Sequence, residues 1–535
     1  MRSARLLLEE FPSMDRRHFL ASTIASLTLP GAELRAASSA MLEEATIDDL
    51  AAGCAAGRLT SLSMTQFYLD RIRALDRAGP GLRAVIETNP AALDIAAALD
   101  KERHSKGLRG PLHGIPVLIK DNVETSDRMM TTAGSLALEG WYAAEDAPLA
   151  ERLRAAGAVI LGKANMSEWA NFRSAHSTSG WSARGGQARN PYALDRSPSG
   201  SSSGSAIAVS ANLCAAAIGT ETDGSIVSPA AVNGIVGLKP TVGLVSRTGI
   251  VPLAHSQDTA GPLARSVRDA AILLGVIAGR DARDAASVAA GEHAEDNYVR
   301  YLDPEGLRGA RLGVARKFFA DNAPLDAHLS RCVDALRGAG AVVVDPADLP
   351  AQIPTAAEQE VLLYEFKADL NAYLERMPGG FPVRSLAELI RFNEAHSGAE
   401  LALFDQELLR QSDAKGGLRE AAYRNARSAC LAATRSKGID AVLKEHRLDA
   451  IVTLTSGAAW LIDPVNGDSD PGGCSSPAAI AGYPHITVPA GLHRGLPLGL
   501  SFFAGAYSEP KLLRLASGFE HTLKGRIAPQ FLASV

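Results

Sequence analysis

From Ser197 to Leu238 the chain runs for 42 residues with only two charges, Glu221 and Asp223. At the overall charged content of 21%, an average stretch of that length would carry about nine. Such a segment lies either in a membrane or deep in a fold, and its many Ser, Gly and Asn residues argue against lipid. It reads as Ser199-Gly200-Ser201-Ser202-Ser203-Gly204, a uniformly apolar helix from about Ser205 to Ile218, and a glycine turn, Thr222-Asp223-Gly224-Ser225. Buried hydroxyl and N–H groups each need a partner, so two Ser/Gly loops around a buried helix are costly unless they serve a ligand. A phosphate cradle is one reading, but no G-x-x-x-x-G-K-[ST] is present and the loop has no lysine. A nucleophile elbow is another, with Gly200 to Gly204 fitting G-x-S-x-G and Ser202 as nucleophile. That motif requires a preceding strand, whereas Arg189 to Tyr192 and Arg196 to Pro198 are loop-like.

A third reading rests on several motifs in order: Pro198-Ser-Gly-Ser-Ser-Ser-Gly-Ser205, Gly219-Thr-Glu-Thr-Asp-Gly-Ser225-Ile226, Gly237-Leu238-Lys239-Pro240-Thr241 and Asp258-Thr-Ala-Gly261-Pro262. Gly114-Ile-Pro-Val-Leu-Ile-Lys120-Asp121-Asn122 lies upstream, and Ala481-Gly482-Tyr483-Pro484 and Val488-Pro489-Ala490-Gly491 lie downstream. Together they resemble the amidase signature family over essentially residues 43–525. The resemblance implies one large α/β/α domain whose mixed, mostly parallel central sheet has about eleven strands covered by helices. It also implies a Ser–cis-Ser–Lys triad, which motif matching puts at Lys120, Ser201 and the nucleophile Ser225. A serine hydroxyl needs an adjacent base, and a lysine serves as one only when neutral. Its free pKa near ~10.4 must therefore fall by about three units, which burial among residues such as Ile115, Val117 and Ile119 favours. Ser201 would relay the proton, being donor and acceptor at once. By the same resemblance the backbone N–H groups of Thr222, Asp223, Gly224 and Ser225 form the oxyanion hole. On their own, a lysine at a strand end is ordinarily a solvated charge, and a serine in a glycine turn ordinarily a turn former.

The pattern departs from many members of the family at Asp223, where they carry glycine, and at Val227, where they carry arginine. Asp223 could cap N–H groups of the turn or touch a polar amide substrate. With Ser167-Glu168-Trp169-Ala170-Asn171-Phe172 and Gln187-Ala-Arg189-Asn190-Pro191-Tyr192, this variant is similar to the peptide amidase branch, whose members release ammonia from C-terminally amidated peptides. The expectation is an amidase that turns a linear carboxamide into carboxylate plus ammonia or amine, with small amides or short peptide amides as substrates. Alternatives are an amidotransferase A-type subunit that takes glutamine for tRNA-linked transamidation, and an aryl or acyl amide hydrolase. Met129, Met130, Trp169, Phe172 and Ser202 are expected to contact substrate. No cofactor or metal is expected, since the chain has neither H-x-H nor H-E-x-x-H. His113, His176, His255 and His485 lie near the motifs without a recognisable triad order.

The elements that must hold these residues alternate between helix and strand. Thr46 and Thr60 are placed to cap helices. Ile115 to Ile119 reads as a buried strand ending at Lys120, and Pro148 to Ala156 as a helix that Gly157 stops before a strand at Ala158 to Leu161. Further strands are expected at Arg311–Ala315, Ala341–Val344, Ala450–Leu454, His485–Val488 and Leu498–Phe503. Helices are expected at Glu358–Met377, Glu400–Leu409 and Leu418–Leu443, the last two parted by Gly416-Gly417.

The whole chain has 535 residues, is 46% hydrophobic and carries a net charge of −5. That profile excludes disordered and collagen-like classes and a nucleic-acid binder working through bulk positive charge. Five scattered cysteines with no CxxC pair read as buried thiols. At the N-terminus Arg16-Arg17-His18-Phe19-Leu20, the apolar Ala21–Leu29 and the small residues Ala36–Ala40 resemble a twin-arginine export signal. Residues 1–40 are thus expected to be a signal region, with residues 1–13 an over-extended start before Met14, and 41–535 the amidase domain. The apolar run is far shorter than the ~20 residues of a membrane span. Export would place the protein in the periplasm or outside the cell; without it the chain would be cytoplasmic.

Overall fold

The computed structural model describes residues 41–350 and 352–535, and the expected signal region lies outside them. Residues 44–535 form one compact unit. Its frame is an eleven-stranded sheet: β1 (Val85–Thr88), β2 (Pro116–Lys120), β3 (Val159–Ala164), β4 (Ala216–Glu221), β5 (Val236–Lys239), β6 (Thr259–Ala264), β7 (Arg311–Val314), β8 (Val342–Val344), β9 (Ala450–Leu454), β10 (His485–His493) and β11 (Leu496–Phe503). The spatial order is β1-β3-β2-β4-β6-β5-β10-β11-β9-β7-β8.

The sheet is mixed, but the expected parallel majority is corrected. Only the β2–β3, β2–β4, β7–β8 and β7–β9 pairings are parallel, and the other six are antiparallel. Helix–strand alternation reads every connection as a crossover. The centre of the sheet instead uses direct returns, as where Arg494 (φ 50°) and Gly495 (φ 81°) join β10 to β11 in a two-residue turn with both φ positive, the geometry that suits a tight hairpin.

Local signals placed several of the peripheral helices, while others, such as Ala92–Lys106, Ala323–Gly338 and Glu509–Leu523, were not marked. Thr46 and Asp49 form a reciprocal capping box on the Ile47–Ala55 helix, and Thr60 and Ser63 do the same for Ser61–Arg71. Pro148 opens the Pro148–Ala155 helix, where its missing N–H costs nothing. The apolar helix expected over Ser205–Ile218 is corrected: it spans Ser203–Ser210, and the run continues as strand β4. Both pieces are wholly buried, so neither shows the periodicity that tells helix from strand. β1, β5 and β6 were likewise unmarked. The expected Glu400–Leu409 helix is broken into Ser397–Glu400 and Glu407–Asp413. Glu400 turns inward there, its carboxylate accepting hydrogen bonds from Ser135 Oγ (3.0 Å) and Leu136 N (2.8 Å). All five cysteines are buried. Among the described residues no helix is long and apolar enough to cross a membrane.

Candidate active site

Lys120 ends β2 and Thr220 and Glu221 end β4, its parallel neighbour. The site therefore forms at the carboxyl ends of adjacent parallel strands, where α/β sheets commonly bind ligands. After β4 the chain turns through Thr222–Ser225 into the Val227–Val232 helix. Gly224 takes φ 77°, a conformation that costs little only without a Cβ. The serine loop approaches from the other side, packed so closely that a Cβ on Gly204 would come within 2.2 Å of Ala84 O. The Gly200–Ser201 peptide bond is cis. Ser202 N–H donates to Ser225 O (3.2 Å), tying the two serine loops together.

Lys120 Nζ is fully buried and has three oxygens around it: Ser201 Oγ at 2.8 Å, Thr220 Oγ1 at 2.9 Å and Thr220 O at 3.2 Å. An ammonium donates to all three. A neutral amine donates to two and accepts the Ser201 hydroxyl proton on its lone pair. The same cage thus holds both protonation states with only a hydroxyl rotation between them. Burial lowers the Lys120 pKa to about 7, against the opposing pull of Asp258 and Glu221. Asp258 accepts from Thr222 Oγ1 (2.6 Å) and from Leu253 and Ala254 N–H (2.8 and 2.9 Å), and burial lifts its own pKa to about 6.

Main-chain donors divide sharply at the turn. Ile226 and Val227 N–H are taken by the buried Glu221 carboxylate, at 2.7 and 3.0 Å. The N–H groups of Thr222, Asp223, Gly224 and Ser225 donate to no acceptor among the described residues. Thr222 to Ser225 all line a cavity of about 640 Å³, together with Gly200, Phe172, Trp460, Asp468 and Asp470. One wall is held in an unusual backbone: Trp169, Ala170 and Asn171 have φ of 50°, 56° and 68°. Left-handed residues in series cost ~1–2 kcal/mol each. They are held by the Trp169 N–H to Ala133 O bond (3.1 Å) and the buried Glu168–Arg173 pair (2.6 Å).

The expected cavity walls need correcting. Phe172 lines the cavity, but Met129, Met130 and Trp169 do not. Met129 and Trp169 are buried in the fold, and Met130 lies beside Arg184 and Glu87 at the sheet edge. Ser202 is wholly buried, its hydroxyl donating to Thr220 O (2.9 Å) and accepting from Thr220 N (3.1 Å), which is a structural role. Among the described residues no N–H group of the turn donates to Asp223, and its charge instead acts on Glu358. Sequence reasoning missed Thr220, Glu358, Asp468 and Asp470. Thr220 stands inside a quoted motif and needed only a partner, while the other three carry no local signal. Three of the four histidines are occupied elsewhere: His113 with Leu99 O (2.9 Å), His485 with Ser501 Oγ (2.6 Å), and His255 with Asp369 (2.9 Å). His255, Glu365 and Asp369 bring metal-ligand atoms within 4.8 Å of one another, and the His255–Asp369 pairing already accounts for that approach.

The sequence profile of the Amidase family matches residues 63–513. This chain belongs to that family. A probable amidase of Arabidopsis thaliana is 44% identical over 511 residues, covering 94% of each chain. The crystal structure of a peptide amidase from Stenotrophomonas maltophilia is 55% identical, with a TM-score of 0.87, covering 91% of this chain and 99% of that one. The A-type subunit of a glutamyl-tRNA(Gln) amidotransferase from Halorhodospira halophila is 34% identical over 496 residues, covering 90% of this chain and 97% of its own. Membership makes this amidase a hydrolase of carbon–nitrogen bonds.

Proposed function

We propose that this amidase converts primary carboxamides, including the C-terminal amides of short peptides, to carboxylate and ammonia through an acyl-enzyme on Ser225. The observation that carries the reading is the buried Lys120 amine, 2.8 Å from Ser201 Oγ and with its pKa brought down to about 7. Ser225 Oγ attacks the amide carbon as its proton passes to Ser201, whose own proton passes to neutral Lys120. The oxyanion accepts from the free N–H groups of Thr222–Ser225. The relay then runs backwards to protonate the departing nitrogen, and water repeats the cycle to free the acid. These steps call on no metal or cofactor.

Substrate preference rests on the 55% identity to the peptide amidase. Export by a twin-arginine signal over residues 1–40 belongs to the same proposal, and Arg16→Lys/Arg17→Lys would then leave the protein in the cytoplasm on cell fractionation. The test of the chemistry is ammonia release from an amidated dipeptide, an aryl amide and glutamine, by wild type and by Ser225→Ala. Ammonia from the peptide amide with wild type alone supports the whole reading. Turnover of the aryl amide alone removes the peptide preference. Turnover of glutamine alone favours the amidotransferase-type alternative, and a fully active Ser225→Ala overturns the mechanism.

A further inference from the structure

The cavity in front of Ser225 has one electrostatic sign. Asp223, Asp468 and Asp470 line it, and no lysine, arginine or histidine does so among the described residues. Behind Asp223 stands Glu358, 7% exposed, accepting from Gln257 Nε2 at 3.0 Å. Across the cavity wall the buried Glu168 and Glu400 share a cation: Arg173 lies 2.6 Å from Glu168 and 3.4 Å from Glu400. Among the described residues no cation offsets Glu358, Asp468 or Asp470. Burial and then the Asp223 charge push the Glu358 pKa up to about 9. Burial, then Asp468 and Asp223, also raise Asp470. Asp468 is satisfied by Ser179 N–H (3.0 Å) and Trp460 Nε1 (2.8 Å). Among the described residues Asp470 accepts only from Gly472 N–H (2.9 Å), and Asp223 Oδ1 is buried with no partner.

A cleft lined by charge of one sign concentrates ligands of the other. We infer that the amidase selects carboxamides carrying a positive charge, a free ammonium or a basic side chain, held against Asp223 and Asp470. The inference rests on the amide-hydrolase reading above and adds the charge class of its substrate. It also gives the product a reason to leave, since hydrolysis creates a carboxylate within an already anionic cavity.

The test uses three amides of one size: N-acetyl-lysine amide, N-acetyl-norleucine amide and N-acetyl-glutamic acid α-amide. Calorimetric binding to Ser225→Ala should give a Kd for the lysine amide about tenfold or more below that of the norleucine amide, with the glutamic acid amide weakest. The gap should narrow in high salt and in Asp470→Asn. Equal affinities, tighter binding of the anionic amide, or no binding of any of the three would overturn the inference. Should Ser225→Ala fail to fold, thermal protection of the wild-type protein by hexylamine against hexanol reads the same preference. Turnover of the lysine amide by wild type reports on the hydrolase reading separately: its absence overturns that reading, while the binding ratio still decides this one.

Discussion

Lys120 and Lys163 lie on neighbouring strands, one register step apart, and both are fully buried. Burial lowers both pKa values, Lys120 to about 7 and Lys163 to about 8. Their partners differ in kind. Lys163 Nζ donates to Val123 O (2.6 Å) and to Thr131 Oγ1 (2.9 Å), whose own proton goes to the same carbonyl at 3.3 Å. Asp121, Asp127, Glu87 and Glu124 also favour its ammonium form. Lys120 has a hydroxyl partner in Ser201 that can hand it a proton, beside a cavity that can receive a substrate. Desolvation alone therefore does not make a lysine a base. The neutral amine needs a neighbour able to donate to its lone pair.

Breaking the two lysines in parallel should separate the roles. Lys120→Met is expected to lower kcat/KM by about 10⁴-fold or more, the scale of losing one member of a catalytic triad. Lys163→Met should stay within a few-fold of wild-type turnover, yet lose about 2 kcal/mol or more in denaturant melts, because it strips buried acceptors and carboxylates of their cation. Equal losses of turnover from the two variants would erase the distinction. Ser201→Ala should cost less than Lys120→Met, about 10²- to 10³-fold, since it removes the relay and keeps the amine.

The pH dependence sharpens the same contrast. A base must be neutral, so wild-type kcat/KM should fall about tenfold per unit below a pH near 7 and level off above it. Stability carries the complementary signature. The folded pKa of Lys120, about 7, lies below its unfolded value near ~10.4. The folded state therefore holds fewer protons across that window, and this group's contribution to stability rises with pH through it. Below about pH 7 both states are protonated and the cost of burying the ammonium is fully felt. Lys120→Met should gain most over wild type there and least near pH ~10, as read by melting at a series of pH values.

The smallest effect concerns the cavity wall. Phe172→Ala should raise KM for an amide substrate by about threefold to tenfold, from lost apolar contact. Met129→Ala should leave KM unchanged and lower the melting temperature, as a large-to-small change in a packed interior does. A KM shift with Met129→Ala would return that residue to the substrate side.

Much of this architecture is written in local residue patterns. The charge-poor Ser197–Leu238 segment announced its burial, and Thr46, Thr60 and Pro148 marked their helices through interactions spanning at most a few residues. Of the residues around the site, Lys120, Ser201 and the Thr222–Ser225 turn were legible through motif resemblance, and Lys120 and Ser201 are 81 residues apart in sequence yet 2.8 Å apart in space. What stayed hidden lacked either periodicity or a local partner. Strand β4 continued an apolar run with no change of pattern, and the β10–β11 hairpin broke the expectation of parallel crossovers. Trp169 looked like a wall residue by its neighbours, yet left-handed backbone turned Ala170 to Phe172 toward the cavity in its place.

By itself the sequence determined the family, the order of the chemical loops, the capped helices and the buried cysteines, because each depends on residue type and short spacing. Tertiary structure alone decided that Lys120 is caged by Thr220 as well as Ser201, and that Glu358 closes on Asp223 from 135 residues away. It also decided that Asp468 and Asp470 face the same space as Ser225. Solvation and through-space charge set the behaviour of these groups, and both depend on which distant segments exclude water around them.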